Sequence, residues 1–225
     1  MYLDIDTWIK AYLEKLKSQF GSRLQFVGLQ GSYGRGEATE NSDIDAVVIL
    51  DQVEPADLQA YSALLDTLPH REQACGFISG RQELVNWERS DLFQFYYDTT
   101  PLFGSIDFVQ PLISQEDIRR AVRIGACNLY HACGHNIVHE KDVQTLIGLY
   151  KTAAFTIQAV NTLQTGTYVR HKAELIPLLA PQEREILQTG VRLKQQPQLA
   201  KNEFDRFSAL LFIWAARLIA EYKAE

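Results

Sequence analysis

Asp43 and Asp45 stand one residue apart in "GLQGSYGRGEATENSDIDAVVIL", residues 28–50, where a glycine-rich turn gives way to a polar link and then to a run of β-formers. On a strand, residues i and i+2 project from the same face, so the two carboxylates share one side while Ile44 enters the core. Two carboxylates held side by side repel unless something neutralises them. A divalent cation does this, and Mg²⁺ usually binds one or two carboxylates together with substrate phosphates. The glycines suit the same chemistry, because backbone N–H groups of such a turn approach a polyphosphate with no Cβ in the way. Taken singly, the glycines fit a turn without function, and the aspartates fit a turn cap and an edge charge. The order strand, Gly-Ser turn, short polar link, Asp-x-Asp, apolar strand favours a site.

Two other phosphate-binding loops are excluded. Gly31 and Gly36 have the separation of P-loop glycines, but Glu37 and Ala38 follow where Lys and Ser or Thr are required. Gly34 and Gly36 begin a dinucleotide fingerprint, but Thr39 stands in place of its third glycine.

The segment "GSYGRGEATENSDIDAVVIL" resembles the nucleotidyltransferase signature of the DNA polymerase β superfamily, Gly-Ser followed by Ser-Asp-x-Asp, here Gly31-Ser32 and Ser42-Asp43-Ile44-Asp45. The layout is most similar to the bacterial aminoglycoside and lincosamide nucleotidyltransferases of the kanamycin and streptomycin type. That resemblance implies Mg²⁺-dependent transfer of a nucleoside monophosphate, AMP from ATP, to a hydroxyl with release of pyrophosphate. It implies Asp43 and Asp45 as metal ligands, and Gly31, Ser32 and Arg35 against the phosphates. Ser42 belongs to the same loop as the residue that shapes the turn into the strand. Lys172, after Gly166, takes the place of a lysine that reaches the phosphates from the helical half. A third carboxylate is expected on a neighbouring strand, and there the chain departs from the pattern: Cys75 and Gly76 occupy the natural position. Glu72 and Asp98 are the candidates for that ligand or base, with Glu140 and Glu174 as alternatives from the helical half. The acceptor is a hydroxyl-bearing molecule lying against the helical half, an aminoglycoside-like compound being one candidate. Two other readings stand beside it: a protein AMPylator of the antitoxin type, and a nucleotide-binding regulatory module without transfer activity, which the missing carboxylate keeps in play.

The elements around these residues read as an α/β domain, a mixed sheet with flanking helices over residues 1–112, followed by an all-α helical bundle over 113–225. Ile5, Trp8, Ile9, Tyr12, Leu13 and Leu16 have helical spacing, and Gly21 is placed to end that helix. Strands are expected at 24–30, 44–50, 74–79, 92–97 and 102–109, the fourth equally readable as a short helix, and Pro55 opens a helix through Leu68. Ser114 and Asp117 form a capping box, after which helices are expected at 115–138, 142–165, 170–179, 182–195 and 200–223. Tyr96, Tyr97, Phe93 and Phe95 read as core and cleft wall, and Lys151 as a buried lysine in need of a partner. The densest apolar run, 209–220, reads as a helix buried on most of its circumference.

Composition bounds the rest. A hydrophobic content of 46% supports a packed core, and a net charge of −6 provides no global field for duplex nucleic acid. Three acids within "MYLDIDTWIKAYLEKL" argue against a signal peptide, and no run approaches the ~20 apolar residues of a membrane span. Cys75, Cys127 and Cys133 have no Cys-x-x-Cys spacing and read as reduced, packed thiols of a cytoplasmic protein. His131, His135 and His139 form a row at i, i+4, i+8, read as core or interface histidines that also have metal-binding spacing. A homodimer is left open.

Overall fold

Trp8, Tyr12, Leu16 and Phe20 fall on one stripe and bury it, which makes residues Ile5–Phe20 the first helix, α1. Asp4 caps it by accepting from Thr7 N–H at 3.3 Å, and Gly21, at φ +53°, ends it. The protein is described here as a computed structural model covering residues 4–40 and 42–223. The outer limits expected for the two domains, residues 1 and 225, lie outside the described residues. The chain divides into two compact units, Met1–Leu112 and Ile113–Glu225.

In the first unit β1 (Leu24–Leu29) runs into a short helix α2 (Gly31–Gly34), then β2 (Ile44–Leu50), α3 (Pro55–Leu65), β3 (Ala74–Gly80), α4 (Arg81–Val85), α5 (Arg89–Asp98) and β4 (Thr100–Gly104). The sheet order is β3-β2-β1-β4, with β1 antiparallel to both neighbours and β2 parallel to β3. The parallel pair needs a crossover, which α3 supplies. Ile44, Ala46, Val48 and Leu50 join Val27 and Leu29 in one buried cluster with Trp8, Leu16, Leu64 and Leu65. The alternate residues of β2, beginning with Asp45, belong to the other face. There β3 follows in register, Asp45 opposite Cys75 and Val47 opposite Phe77, and Phe77 packs edge-on against Trp87 and Phe95. On the far side of the β1 terminus, Arg23 forks onto Asp57 at 2.7 and 2.9 Å and draws that carboxyl down to about 2, helped by Glu54 N–H at 2.9 Å.

Two strand expectations are corrected. Residues 92–97 form part of α5, the alternative reading, with Leu92 and Phe93 buried on its inner face. The last strand ends at Gly104, φ +69°, well short of residue 109. Of the four aromatics in that region only Phe93 is buried, and Tyr96 donates to Asp107 at 3.2 Å.

The second unit is helical throughout. Its first helix, α6 (Gln115–His135), begins at the expected box, with Asp117 N–H on Ser114 Oγ at 3.2 Å and Ser114 N–H on Asp117 Oδ2 at 2.8 Å. A π turn over Asn136–Glu140 and left-handed Lys141 end it. Next come α7 (Val143–Thr165), closed by left-handed Gly166, then α8 (Lys172–Leu175), α9 (Pro181–Gln195), α10 (Pro197–Asn202) and α11 (Phe204–Glu221). The helix expected over 170–179 is only one turn of α-helix, then a 3₁₀ turn at Ile176–Leu178, because Pro177 has no N–H to continue the ladder. That expected over 200–223 breaks at Glu203. Residues 209–220 bury one face, Leu211, Trp214, Ala215 and Leu218, while Ile213 is exposed. Buried Glu183 accepts from Trp214 Nε1 at 3.0 Å and from Arg217. Lys151 is exposed, and so are Cys75 and Cys127; only Cys133 is packed, and burial pushes its thiol up to about 11. No helix among the described residues is long and apolar enough to cross a membrane.

Candidate active site

The strand β1 delivers Gln30 in extended backbone, φ −115° and ψ −170°, and Gly31 then turns the chain at φ +62° into α2. A Cβ at residue 31 would lie 1.9 Å from Asp45 Oδ2. Only glycine therefore lets the backbone of the turn lie against this carboxylate, and Gln30 N–H fixes the approach by donating to Asp45 O at 2.8 Å. Asp45 is half-buried and Asp43 exposed, at the mouth of β2. Ser32 is half-buried within α2.

Three consecutive residues at the junction of α5 and β4 hold this turn. Asp98 accepts from Arg35 Nη1 at 3.0 and 2.8 Å through its two oxygens, and Oδ2 lies 3.4 Å from Gly31 N–H. Thr99 Oγ1 accepts from Gln30 Nε2 at 2.8 Å, and Thr100 Oγ1 donates to Gly34 O at 2.6 Å. Arg35 also donates through Nε to Glu37 Oε2 at 3.2 Å. The Arg35 and Asp98 side chains are 10% and 6% exposed. Burial alone would lower the guanidinium's affinity for its proton, but Asp98 and then Glu37 outweigh it and hold the Arg35 pKa above its ordinary value. The far end of the loop is tied as well: Thr39 N–H donates to Ser42 Oγ at 2.8 Å, Ser42 N–H to Thr39 O at 3.0 Å, and Gln73 Nε2 to Glu40 O at 3.0 Å.

The expected residues thus separate into groups. Gly31, Ser32, Asp43 and Asp45 come together at the ends of β1 and β2. Arg35, expected on phosphates, directs Nη1 to Asp98 and Nε to Glu37. Asp98, expected as a third ligand or base, has both oxygens engaged and anchors the turn. Ser42 shapes the entry into β2. Glu72 lies in a 3₁₀ turn, Arg71–Gln73, with its side chain 76% exposed and 3.8 Å from His70 Nδ1. Lys172 opens α8 in the second unit. Among the described residues no three His, Cys, Asp or Glu side chains assemble into a metal-binding set. Two carboxylates beside a turn of backbone N–H groups still fit Mg²⁺, which keeps several waters and takes phosphate oxygens. Sequence reasoning missed Thr99, Thr100 and Gln30. Their only local signal is the acid-hydroxyl-hydroxyl run Asp98-Thr99-Thr100 between an aromatic segment and a strand.

Residues 9–106 match the family described as nucleotidyltransferase domain. The spectinomycin adenyltransferase AAD(9) from Enterococcus faecialis, whose crystal structure contains ATP and spectinomycin, superposes with a TM-score of 0.52 at 15% identity, over 92% of this chain and 98% of that one. A Methanocaldococcus jannaschii chain that carries the provisional name protein adenylyltransferase is 44% identical over 43 residues, which is 19% of this chain and 43% of that relative's length. With its mixed sheet, its glycine turn against Asp45 and its match over residues 9–106, the first unit of this chain is similar to the nucleotidyltransferase-domain family.

Proposed function

We propose that this protein is a Mg²⁺-dependent adenylyltransferase that moves AMP from ATP to a hydroxyl of a small-molecule acceptor. The observation that supports the reading is the approach of Gly31 to Asp45, where backbone able to bind phosphate lies beside a carboxylate able to hold a metal. Asp43 and Asp45 hold Mg²⁺, which when bound polarises the α-phosphate and neutralises the leaving pyrophosphate. N–H groups of α2 and the Ser32 hydroxyl orient the phosphates. The acceptor hydroxyl attacks the α-phosphorus, the bond to the bridging α–β oxygen breaks, pyrophosphate leaves, and the hydroxyl proton passes to a base. Glu72, exposed, is the carboxylate of the first unit left for that role; in the second unit Glu140 is engaged by His135 and Thr145.

The AAD(9) likeness over nearly the whole of both chains supports a small-molecule acceptor of the aminocyclitol kind. A second reading, transfer of AMP to a protein side chain, is favoured by the 44% identity with the M. jannaschii chain. Thermal unfolding with each of the four triphosphates, with and without Mg²⁺, tests the nucleotide site. A ligand at a hundred times its dissociation constant stabilises by about 2.7 kcal/mol, which for a chain of this size raises the midpoint by roughly 5–10 °C. The expected result is such a rise with Mg²⁺ and ATP, followed by transfer of α-labelled phosphate to an aminocyclitol acceptor. Label on protein instead supports the second reading, and no rise with any triphosphate overturns both.

Gly31→Ala tests the contact directly. The new methyl must displace either the turn or the Asp45 carboxylate, and a misplacement of about 1 Å lowers rates by ~100-fold. Left-handed strain adds a stability loss of roughly 1–2 kcal/mol. Single-turnover kinetics beside a thermal melt read the two effects separately; a variant with unchanged rate would detach the turn from the chemistry.

A further inference from the structure

The second unit carries a set of donors that the reaction above does not use. His131, His135 and His139 repeat every fourth residue from α6 into the π turn, and so share one stripe; Cys127 continues it one turn earlier. All three imidazoles are exposed, which corrects their reading as core residues. The His135 and His139 rings have centroids 4.8 Å apart at a tilt of 48°, and His131 lies 6.4 Å from His135. Exposed histidines at this spacing need no function. What sets this row apart is Glu140. Its Oε1 lies 3.5 Å from His135 Nδ1, and its Oε2 accepts from Thr145 Oγ1 at 3.4 Å, so α7 holds the carboxylate that faces the ring. A carboxylate on Nδ1 favours the tautomer with its proton there and its lone pair on Nε2, which is how metal-ligating histidines are oriented. The π turn that carries His139 and Glu140 is itself a conformation enriched at functional sites.

We propose that His135 and His139 chelate one divalent transition-metal ion of the Zn²⁺, Ni²⁺ or Cu²⁺ class, with Glu140 as the positioning residue on His135. Imidazole suits these metals, whereas Mg²⁺ takes oxygen ligands, so the site is separate from the carboxylate pair of the first unit. No three donors converge among the described residues, and water completes the coordination of the two imidazoles. The bound ion would fasten the end of α6 to the turn that leads into α7.

The test is a calorimetric titration of the full chain with Zn²⁺ in excess Mg²⁺, which keeps the carboxylate pair occupied. Because the side chains lie at the surface, with His135 48% and Glu140 46% exposed, substitutions there leave the interior intact. The expected result is one equivalent bound at micromolar concentration, weakened at least tenfold in both His135→Ala and His139→Ala and unchanged in Asp43→Asn/Asp45→Asn. Glu140→Gln weakens it about 10–100-fold, the range for loss of an orienting partner. Broadening of the His135 and His139 ring resonances by substoichiometric Ni²⁺ gives an independent readout. Absence of stoichiometric binding, or binding that persists in the double variant His135→Ala/His139→Ala, overturns the proposal.

Discussion

Replacing Asp43 and Asp45 together by asparagine is expected to lower the rate of AMP transfer about a thousandfold or more and to leave the unfolding midpoint nearly unchanged. Metal catalysis supplies several kcal/mol of transition-state stabilisation, and three decades of rate correspond to about 4 kcal/mol. The fold loses little by the exchange. Asp43 is exposed and Asp45 half-buried, asparagine keeps their shape, and removing two adjacent like charges relieves repulsion. Substitutions of this kind usually change stability by less than about 0.5 kcal/mol. The same variant separates two ways of binding nucleotide. Stabilisation by ATP alone, through the N–H groups of α2, should survive, while the further increment from Mg²⁺ disappears. Rapid-quench transfer assays and melts with and without Mg²⁺ measure the two effects; a variant that retains a tenth of the native rate would remove these carboxylates from the mechanism.

What could be read before folding is what is written locally. The alternation Ile44-Asp45-Ala46 puts alternate side chains on opposite faces, because period two is a property of any strand, and the buried cluster takes Ile44 and Ala46. Gly21, Pro55 and the Ser114–Asp117 box end or begin helices by chemistry confined to a few neighbours. Residues 92–97 defeat such reading, since a short aromatic run satisfies both periods and tertiary packing decides. Lys151 and the histidine row show a related limit: spacing defines a stripe, but which stripe is covered depends on the helices packed beside it. Arg35 and Asp98 are the clearest case. They lie 63 residues apart, and nothing near either residue announces the other. The sequence therefore showed the glycine turn and the carboxylates, while the anchor beneath them is a property of the folded sheet alone.

That anchor leads to the second large effect. Asp98→Ala is expected to destabilise the protein by about 3–5 kcal/mol, the usual cost of leaving one partner of a buried ion pair uncompensated. For a chain of this size that lowers the midpoint by roughly 6–20 °C. The cause is specific. Arg35 is only 10% exposed, so its guanidinium cannot recover full hydration, and Gly31 N–H loses the carboxylate 3.4 Å away. Asp98→Asn keeps one acceptor but no charge and should fall between the alanine variant and the native protein. The double variant Arg35→Met/Asp98→Leu removes both charges and fills the space with apolar atoms, and it should regain most of the lost stability, because desolvation offsets much of the attraction in a buried pair. Kinetics distinguish anchoring from direct chemistry. If the pair only positions the turn, the double variant should transfer AMP with a raised KM for ATP and a kcat within about tenfold of native; loss of kcat by a further hundredfold would make Arg35 or Asp98 a group that touches the reacting phosphates. An Asp98→Ala variant that loses less than about 1 kcal/mol would show that solvent reaches the guanidinium, and that Thr99 and Thr100, through Gln30 and Gly34, hold the turn without it.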